Sequence, residues 1–248
     1  MKFKLLLTIL FTALSFSANA ALSLEAGIFN WQHEPSGNFT NNSGGVGTAA
    51  DLANDLNLKE EKENSIYAVF RHFVPLVPNV RLMTTALSNK GSGTVSSTFD
   101  FGGTPYNIGT AVTTELTLDQ TDITLFWNIL DTGLTFDIGL TAKMLDGVAS
   151  VDDGSGAQSV NIDGTITMLY ANVEISPIDA LTLSATANAL SIDDNEISDY
   201  ILKARYNIGN TLGLEAGHRK QSIKLDDLDS TSGSMDFSGP FIGLNVKF

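Results

Sequence analysis

Histidines, cysteines and clustered carboxylates are the residues that could perform catalysis or hold a metal, and this chain is sparing with the first two. It has three histidines and no cysteine. Without cysteine there is no disulfide framework, no thiolate metal site and no lipidated Cys tether. A hydrolytic site needs a base within hydrogen-bond reach of a nucleophile and an orienting partner. His33 and His72 are expected at opposite ends of adjacent strands, and His218 on an outward face, so no such site assembles. No spacing among the three resembles a zinc site. The expected catalytic, metal and cofactor sets are therefore empty.

A second group of reactive residues is larger. Glu25, Arg71, Arg81, Asp122, Asp137, Lys143, Glu174, Lys203, Arg205, Glu215, Arg219 and Lys247 occupy the polar side of alternating segments. Eight of them, Glu25, Arg71, Arg81, Asp137, Glu174, Arg205, Glu215 and Lys247, fall near the same ends of those segments. Apart they would be ordinary surface charges. Facing one interior they would have to pair, because an unpaired charge in a narrow lumen is costly. The chemistry expected of them is a network of ion pairs.

The segments that must position these charges have a period of two. Leu134, Phe136, Ile138, Leu140, Ala142 and Met144 alternate with Thr135, Asp137, Gly139, Thr141 and Lys143. Leu181–Ala189, Tyr200–Ile208 and Leu212–Gly217 alternate in the same way. Such a pattern is a strand with one apolar and one polar face. Several segments reach the roughly 9–11 residues that a tilted strand needs to cross a bilayer. Short turns at Pro75–Pro78, Asp131–Gly133, Ser176–Asp179 and Gly209–Thr211 alternate with long polar stretches at His33–Asn64, Lys90–Asn107, Asp146–Ser159, Ser191–Ser198 and Asp226–Ser234. The rhythm is that of an up-and-down antiparallel transmembrane β-barrel of about 10 strands, with tight periplasmic turns and longer external loops. After the first residues no apolar run is long enough for a spanning helix, and only a closed barrel would satisfy the backbone in lipid.

Residues 1–20 read as a secretory signal peptide: Lys2 and Lys4, an apolar run from Leu5 to Phe16, then Ala18 and Ala20 as the small-x-small cleavage pattern. Residues 21–248 are then the barrel domain, exported to a bacterial outer membrane. The row Ile242, Leu244, Val246 and Phe248 is the kind of strand that barrel-assembly machinery takes hold of. The formal charge is −14, or −16 without Lys2 and Lys4. A nucleic-acid partner is excluded, since phosphate binding needs a basic surface. The acid is concentrated in the long stretches, where Asp51, Asp55, Glu60, Glu61, Glu63, Asp152, Asp153, Asp193, Asp194, Glu196, Asp226, Asp227 and Asp229 make a solvated, aggregation-resistant rim, with divalent-cation bridging to lipopolysaccharide phosphates as the alternative; the partners expected of the barrel are outer-membrane lipid and lipopolysaccharide. Leu52 and Leu56 stand at i and i+4 and predict one helical turn capping the barrel mouth.

Several local stretches resemble a family as well. They are Trp31 with Glu34-Pro35-Ser36-Gly37, Asp51-Leu52 with Asp55-Leu56-Asn57-Leu58, His72 with Pro75-Leu76-Val77-Pro78-Asn79-Val80-Arg81, Thr121 to Leu125, Met168 to Ala171, and Gly239 to Leu244. Nearly end to end, residues 21–248 resemble a group of small uncharacterised proteobacterial outer-membrane β-barrels labelled by a Gly-Gly feature, with Gly102–Gly103 as its counterpart. The chain departs from that pattern at His72-Phe73, where His followed directly by Pro is expected. The resemblance implies a barrel and an outer-membrane address, and no activity.

The expected role is a structural or surface protein whose lumen is plugged by its own charges. A narrow pore for small solutes is the alternative. An enzyme with a site at the external rim, where His33 is the one histidine within reach, comes last.

Overall fold

The computed structural model describes residues 22–41, 49–74, 76–192, 195–228 and 231–248. The expected leader at 1–20, and Pro75, Asp193, Asp194 and Asp229, lie outside the described residues. The strands are β1 (Leu22–Asn41), β2 (Ala50–Asp51), β3 (Glu61–His72), β4 (Asn79–Thr85), β5 (Ser88–Thr94), β6 (Phe99–Phe101), β7 (Thr104–Tyr106), β8 (Ala111–Asp131), β9 (Leu134–Asp152), β10 (Gln158–Ile178), β11 (Leu181–Ile192), β12 (Asn195–Ile208), β13 (Leu212–Leu228) and β14 (Thr231–Lys247).

Neighbours in sequence pair antiparallel, and β14 returns to β1 with Glu25 opposite Lys247 and Asn41 opposite Thr231. That pairing closes the sheet, which leaves the lipid-facing wall without a free edge. β4 and β5 follow one another along β8 and act as a single wall strand. The result is a ten-stranded antiparallel barrel, with β2 and the β6–β7 hairpin outside the wall count.

The strands overshoot a membrane. β8 and β10 have 21 residues each and β1 has 20. At about 3.3 Å per residue these are far longer than the roughly 9–11 residues of a bilayer crossing. Of the stretches expected as long loops, Asp146–Ser159, Ser191–Ser198 and Asp226–Ser234 are therefore mostly wall, and His33–Asn64 and Lys90–Asn107 are wall only in part. β9 continues through Asp146 to Asp152, and β10 already begins at Gln158. Sequence alone hides this, because polar alternation above a membrane looks like loop composition.

The hydrophobic phase marks where the membrane ends. On β8, Val112, Leu116 and Leu118 are buried inward, whereas Ile123, Leu125 and Trp127 are exposed outward. The apolar side has changed parity along one strand. β1 changes likewise, from outward Leu22 and Ile28 to inward Phe29, Trp31 and Phe39, and β14 from inward Met235, Phe237 and Phe241 to outward Ile242 and Leu244. Near the short turns the barrel is apolar outside and polar inside. Toward the long-strand end it is polar outside and apolar inside, as a water-soluble protein would be.

That inner apolar core needs material to fill it, and the segment after β2 supplies it. Leu52, Leu56 and Leu58 are buried among Phe39, Leu116 and Met235, together with Phe99, Phe101 and Tyr106 from the β6–β7 hairpin. Gly102 and Gly103, both at positive φ, form the hairpin tip, where left-handed backbone suits glycine. The predicted helical turn is a tight hydrogen-bonded turn. The Asp51 carboxylate accepts from the Ala53 and Asn54 amides at 3.0 and 2.7 Å, and its carbonyl accepts from Asp55 and Leu56. The Asp55 carboxylate is held by the Ser96 hydroxyl at 2.5 Å and the Ser97 amide at 2.8 Å. Burial pushes the Asp55 carboxyl up, but these donors bring it below the ordinary carboxylate range.

Truncating Leu52 and Leu56 together to alanine should undock this cap without unfolding the wall. Each such truncation costs about 2–5 kcal/mol when the site cannot collapse. Limited proteolysis within 50–58 should then accelerate sharply, while the heat-modifiable gel mobility of the folded barrel stays unchanged. An unaltered cleavage rate would show that these leucines do not hold the cap.

Candidate functional site

Inward-facing residues on successive strands bring the charges together at two heights. The lower group lies near the short turns. Arg71 on β3 reaches across to Asp137 on β9 with two hydrogen bonds of 3.1 and 2.8 Å, and its guanidinium lies 4.8 Å over the Phe126 ring. Asn128 and Asn172, the residues in register with Asp137 on β8 and β10, also donate to it, at 3.0 and 3.3 Å. Arg205 pairs with Glu25 at 2.8 Å and with Glu174 at 3.5 Å. Lys203 pairs with Glu215 at 2.8 Å and sits 4.7 Å over the Tyr67 ring. The Tyr67 hydroxyl lies 2.7 Å from Glu215 and 3.1 Å from Glu25, tying the two carboxylates into one cluster. Gly27 makes room for that ring, since a Cβ there would stand 2.5 Å from a Tyr67 ring carbon.

The upper group lies at the level where the hydrophobic phase changes. Arg219 makes a bidentate pair with Asp199 at 3.0 and 2.7 Å, and its Nη1 donates to Thr85 and Ser65. Its guanidinium stacks 4.7 Å over Trp31. Lys143 donates to Asp122 at 2.9 Å, to Asp199 at 3.3 Å and to Gln120 at 3.1 Å. Gln120 and Gln221 join opposite walls. Between the two charged layers lie Phe29, Met83, Met168, Ile201 and Phe241, all buried.

Of the eight residues expected to form the network, Glu25, Arg71, Asp137, Glu174, Arg205 and Glu215 are brought together as ion pairs. Arg81 lines the same chamber, with the Met83 sulfur 3.1 Å from its Nη2. Lys247 is exposed at the mouth beside Asn245. Asp199 is missing from the residues expected in the lumen, because it falls between the polar stretch Ser191–Ser198 and the alternation that begins at Tyr200. It shares parity with Ile201, Lys203 and Arg205, and that alternation was the available signal. With Asp199 added and Lys247 left at the exposed mouth, six acids, Glu25, Asp122, Asp137, Glu174, Asp199 and Glu215, share the lumen with six bases, Arg71, Arg81, Lys143, Lys203, Arg205 and Arg219.

The histidines have other surroundings. His33 is wholly buried above the membrane level, with Trp31 at 4.8 Å between ring centroids and Phe237 at 6.1 Å. The Asn89 amide lies 3.5 Å from its Nδ1, and its Nε2 has no hydrogen-bond partner among the described residues. Burial, then the nearby Arg219 charge, holds its pKa down to about 4. His72 fastens the turn before β4, its Nε2 3.1 Å from the Pro78 carbonyl and its Nδ1 accepting from the Val74 amide. His218 faces outward beside the Ser238 hydroxyl at 3.0 Å. Among the described residues no group of three or more His, Asp or Glu side chains is placed to hold a metal.

No protein-family model matches the chain, and no curated protein sequence matches it. Solved structures do. The chain is similar to the outer membrane protease OmpT from Escherichia coli, at 10% identity over 94% of this chain and 99% of that one, with a TM-score of 0.58. It also aligns with the translocator domain of the autotransporter NalP from Neisseria meningitidis, at 17% identity over 97% and 93%, with a TM-score of 0.43. The likeness to OmpT, at this identity, is one of fold: the barrel is of the type found in bacterial outer-membrane proteins.

Two measurements probe the site. Asp199→Ala leaves Arg219 and Lys143 short of a counter-charge and should cost about 3–5 kcal/mol of unfolding free energy in urea titrations of the vesicle-embedded protein. Glu115→Ala breaks the exposed 3.0 Å pair with Lys90 and should cost under about 1 kcal/mol. Equal effects would contradict the assigned roles. Separately, an unfolded histidine takes its proton near pH 6.5, whereas His33 does so only near 4. Stability should therefore fall as pH drops from about 6.5 to 4, by at most about 3–4 kcal/mol, and level off below. A His33→Phe variant should lose that part of the pH dependence.

Proposed function

We propose that the chain is an integral protein of a bacterial outer membrane, exported there and embedded in outer-membrane lipid and lipopolysaccharide, with a structural or surface role and a lumen closed by its own side chains. The short-turn end then faces the periplasm and the overshooting strands project outside. The outward row ending in Val246 and Phe248 is what barrel-assembly machinery would engage.

The observation that carries this reading is closure at three heights. The lower ion-pair cluster, the Arg219–Asp199–Lys143 layer and the apolar cap follow one another along the axis. Two cavities along this path are small: ≈ 50 Å³ beside Tyr67 and Arg81, and ≈ 20 Å³ beneath the cap. A larger space of ≈ 290 Å³ at the periplasmic mouth is lined by Arg205, Glu174 and Asn245, and is bounded above by the first ion-pair layer. A passing ion would have to break pairs that span the barrel, each of them desolvated and costly to separate.

The purified protein reconstituted in planar bilayers should give no unitary current steps, while Arg219→Ala combined with Lys143→Ala should give small, flickering ones. Stable steps from the unaltered protein would replace this reading with that of a narrow pore.

A further inference from the structure

Strands that overshoot their neighbours expose unpaired backbone groups, and this molecule covers two of the places where that happens. The upper part of β1 extends beyond β3 and is met by β2, with Asn38 opposite Asp51 and the Leu52 amide donating to the Gly37 carbonyl at 3.0 Å. β5 has β8 on one side. Its other side is met at Leu58, which bridges Gly91, and at Lys59, whose amide donates to the Lys90 carbonyl at 3.2 Å. One segment of chain, 50–59, thus blunts both edges.

Among the described residues β10 has no such cover from Gln158 to Thr167. It pairs with β9 from Gln158 to Ile175, but its pairing with β11 begins only at Leu169. From Gln158 to Thr167 its other side therefore pairs with no strand among the described residues, although β11 runs on to Ile192. Asn161, Asp163, Gly164 and Thr165 are exposed, and a Cβ built on Gly164 meets no atom within 4 Å. Natural edges are guarded by charged side chains, lysine above all, by proline or by bulges. This one has no lysine, proline or bulge and a single charge, Asp163, and Val160, Ile162, Thr165, Ile166 and Thr167 favour extended backbone.

The charge beside this edge specifies what fits it. Asp119, Asp146 and Asp163 stand directly opposite one another across β8, β9 and β10, all exposed and facing outward. Like charges in register are unfavourable, and the row ends at the open edge. A further strand would put its own residue next in that row. A second copy of this chain docking edge to edge would bring a second row of aspartates beside the first.

We propose that the edge of β10 from Gln158 to Thr167 is a docking site for an extended segment of a partner protein, which adds as a strand and places a lysine or arginine beside Asp163. Backbone hydrogen bonds supply affinity and the aspartate row supplies selectivity. The site is independent of whether the lumen conducts.

The test uses the full chain folded in detergent micelles and a fluorescent alternating Lys-Val peptide of about eight residues. Controls are a peptide of the same composition interrupted by proline and an alternating Glu-Val peptide. Saturable binding of the Lys-Val peptide is expected, with slowed amide exchange confined to Gln158–Thr167. Asp163→Lys, a surface change checked by heat-modifiable mobility, should weaken that binding by about tenfold or more and admit the Glu-Val peptide. Absence of binding overturns the proposal. So does equal binding of the proline-interrupted peptide, which would mean charge attraction alone, or protection elsewhere on the barrel. Self-association that protects the same edge without peptide would assign it to a second copy instead.

Discussion

The requirement that governs the lumen is charge matching without water to help. A side chain facing inward at membrane depth has a thin wall of backbone between it and lipid, so its charge calls for an opposite one close by, and every described lumen cation except Arg81 has one within ion-pair distance. Neighbours in register meet part of this need, as Asp122 and Lys143 do across β8 and β9. The greater part is met across the lumen. Arg71 on β3 finds Asp137 on β9, Arg205 on β12 finds Glu25 on β1, and Lys143 on β9 finds Asp199 on β12. These ties fix the distance between opposite walls. They also explain why the cations facing the lumen are mostly arginine. A planar fork bonds two oxygens at once and stacks on a ring, as Arg71 does with Phe126 and Arg219 with Trp31.

Which of this was legible in the sequence follows from what a period of two encodes. Alternation assigns each residue to a face, and that sufficed to place Glu25, Arg71, Asp137, Arg205 and Glu215 in one interior. It does not encode which pairs meet across the lumen, since that depends on strand number and stagger. It also fails where composition misleads. The polar run Ser191–Ser198 has the look of a loop, yet β11 and β12 continue through it apart from a short connection, and the error cost Asp199, the carboxylate that binds both upper cations. The cap was half legible. The spacing of Leu52 and Leu56 announced a turn over the mouth. The β6–β7 hairpin that packs beside it has strands of three residues each, too short for periodicity to register.

A subtler signal was present throughout. On β1, β8 and β14 the apolar residues move from one parity to the other partway along the strand. The solvents explain it. Where lipid lies outside, apolar side chains face out and the interior is polar. Where water lies outside, the same wall must bury its apolar residues inward, and a second core has to form. Arg219 and Asp199 sit at that crossover, with the Arg219 guanidinium stacked over Trp31.

Two solvents on one barrel also account for the open edge. Within the membrane every wall strand must have a neighbour on both sides, because an unpaired backbone group has no water to satisfy it. Above the crossover that constraint lapses. Strands are free to end at different heights, and the exposed groups can be satisfied by water, by the chain itself or by another protein. β1 and β5 are answered by the chain itself, through residues 50–59. Among the described residues β10 is not, although the same device was available to a protein that already carries a cap. An edge left bare beside a row of three aspartates, on a molecule that covers comparable edges elsewhere, is the arrangement expected of a surface kept accessible for a partner rather than of a wall merely unfinished.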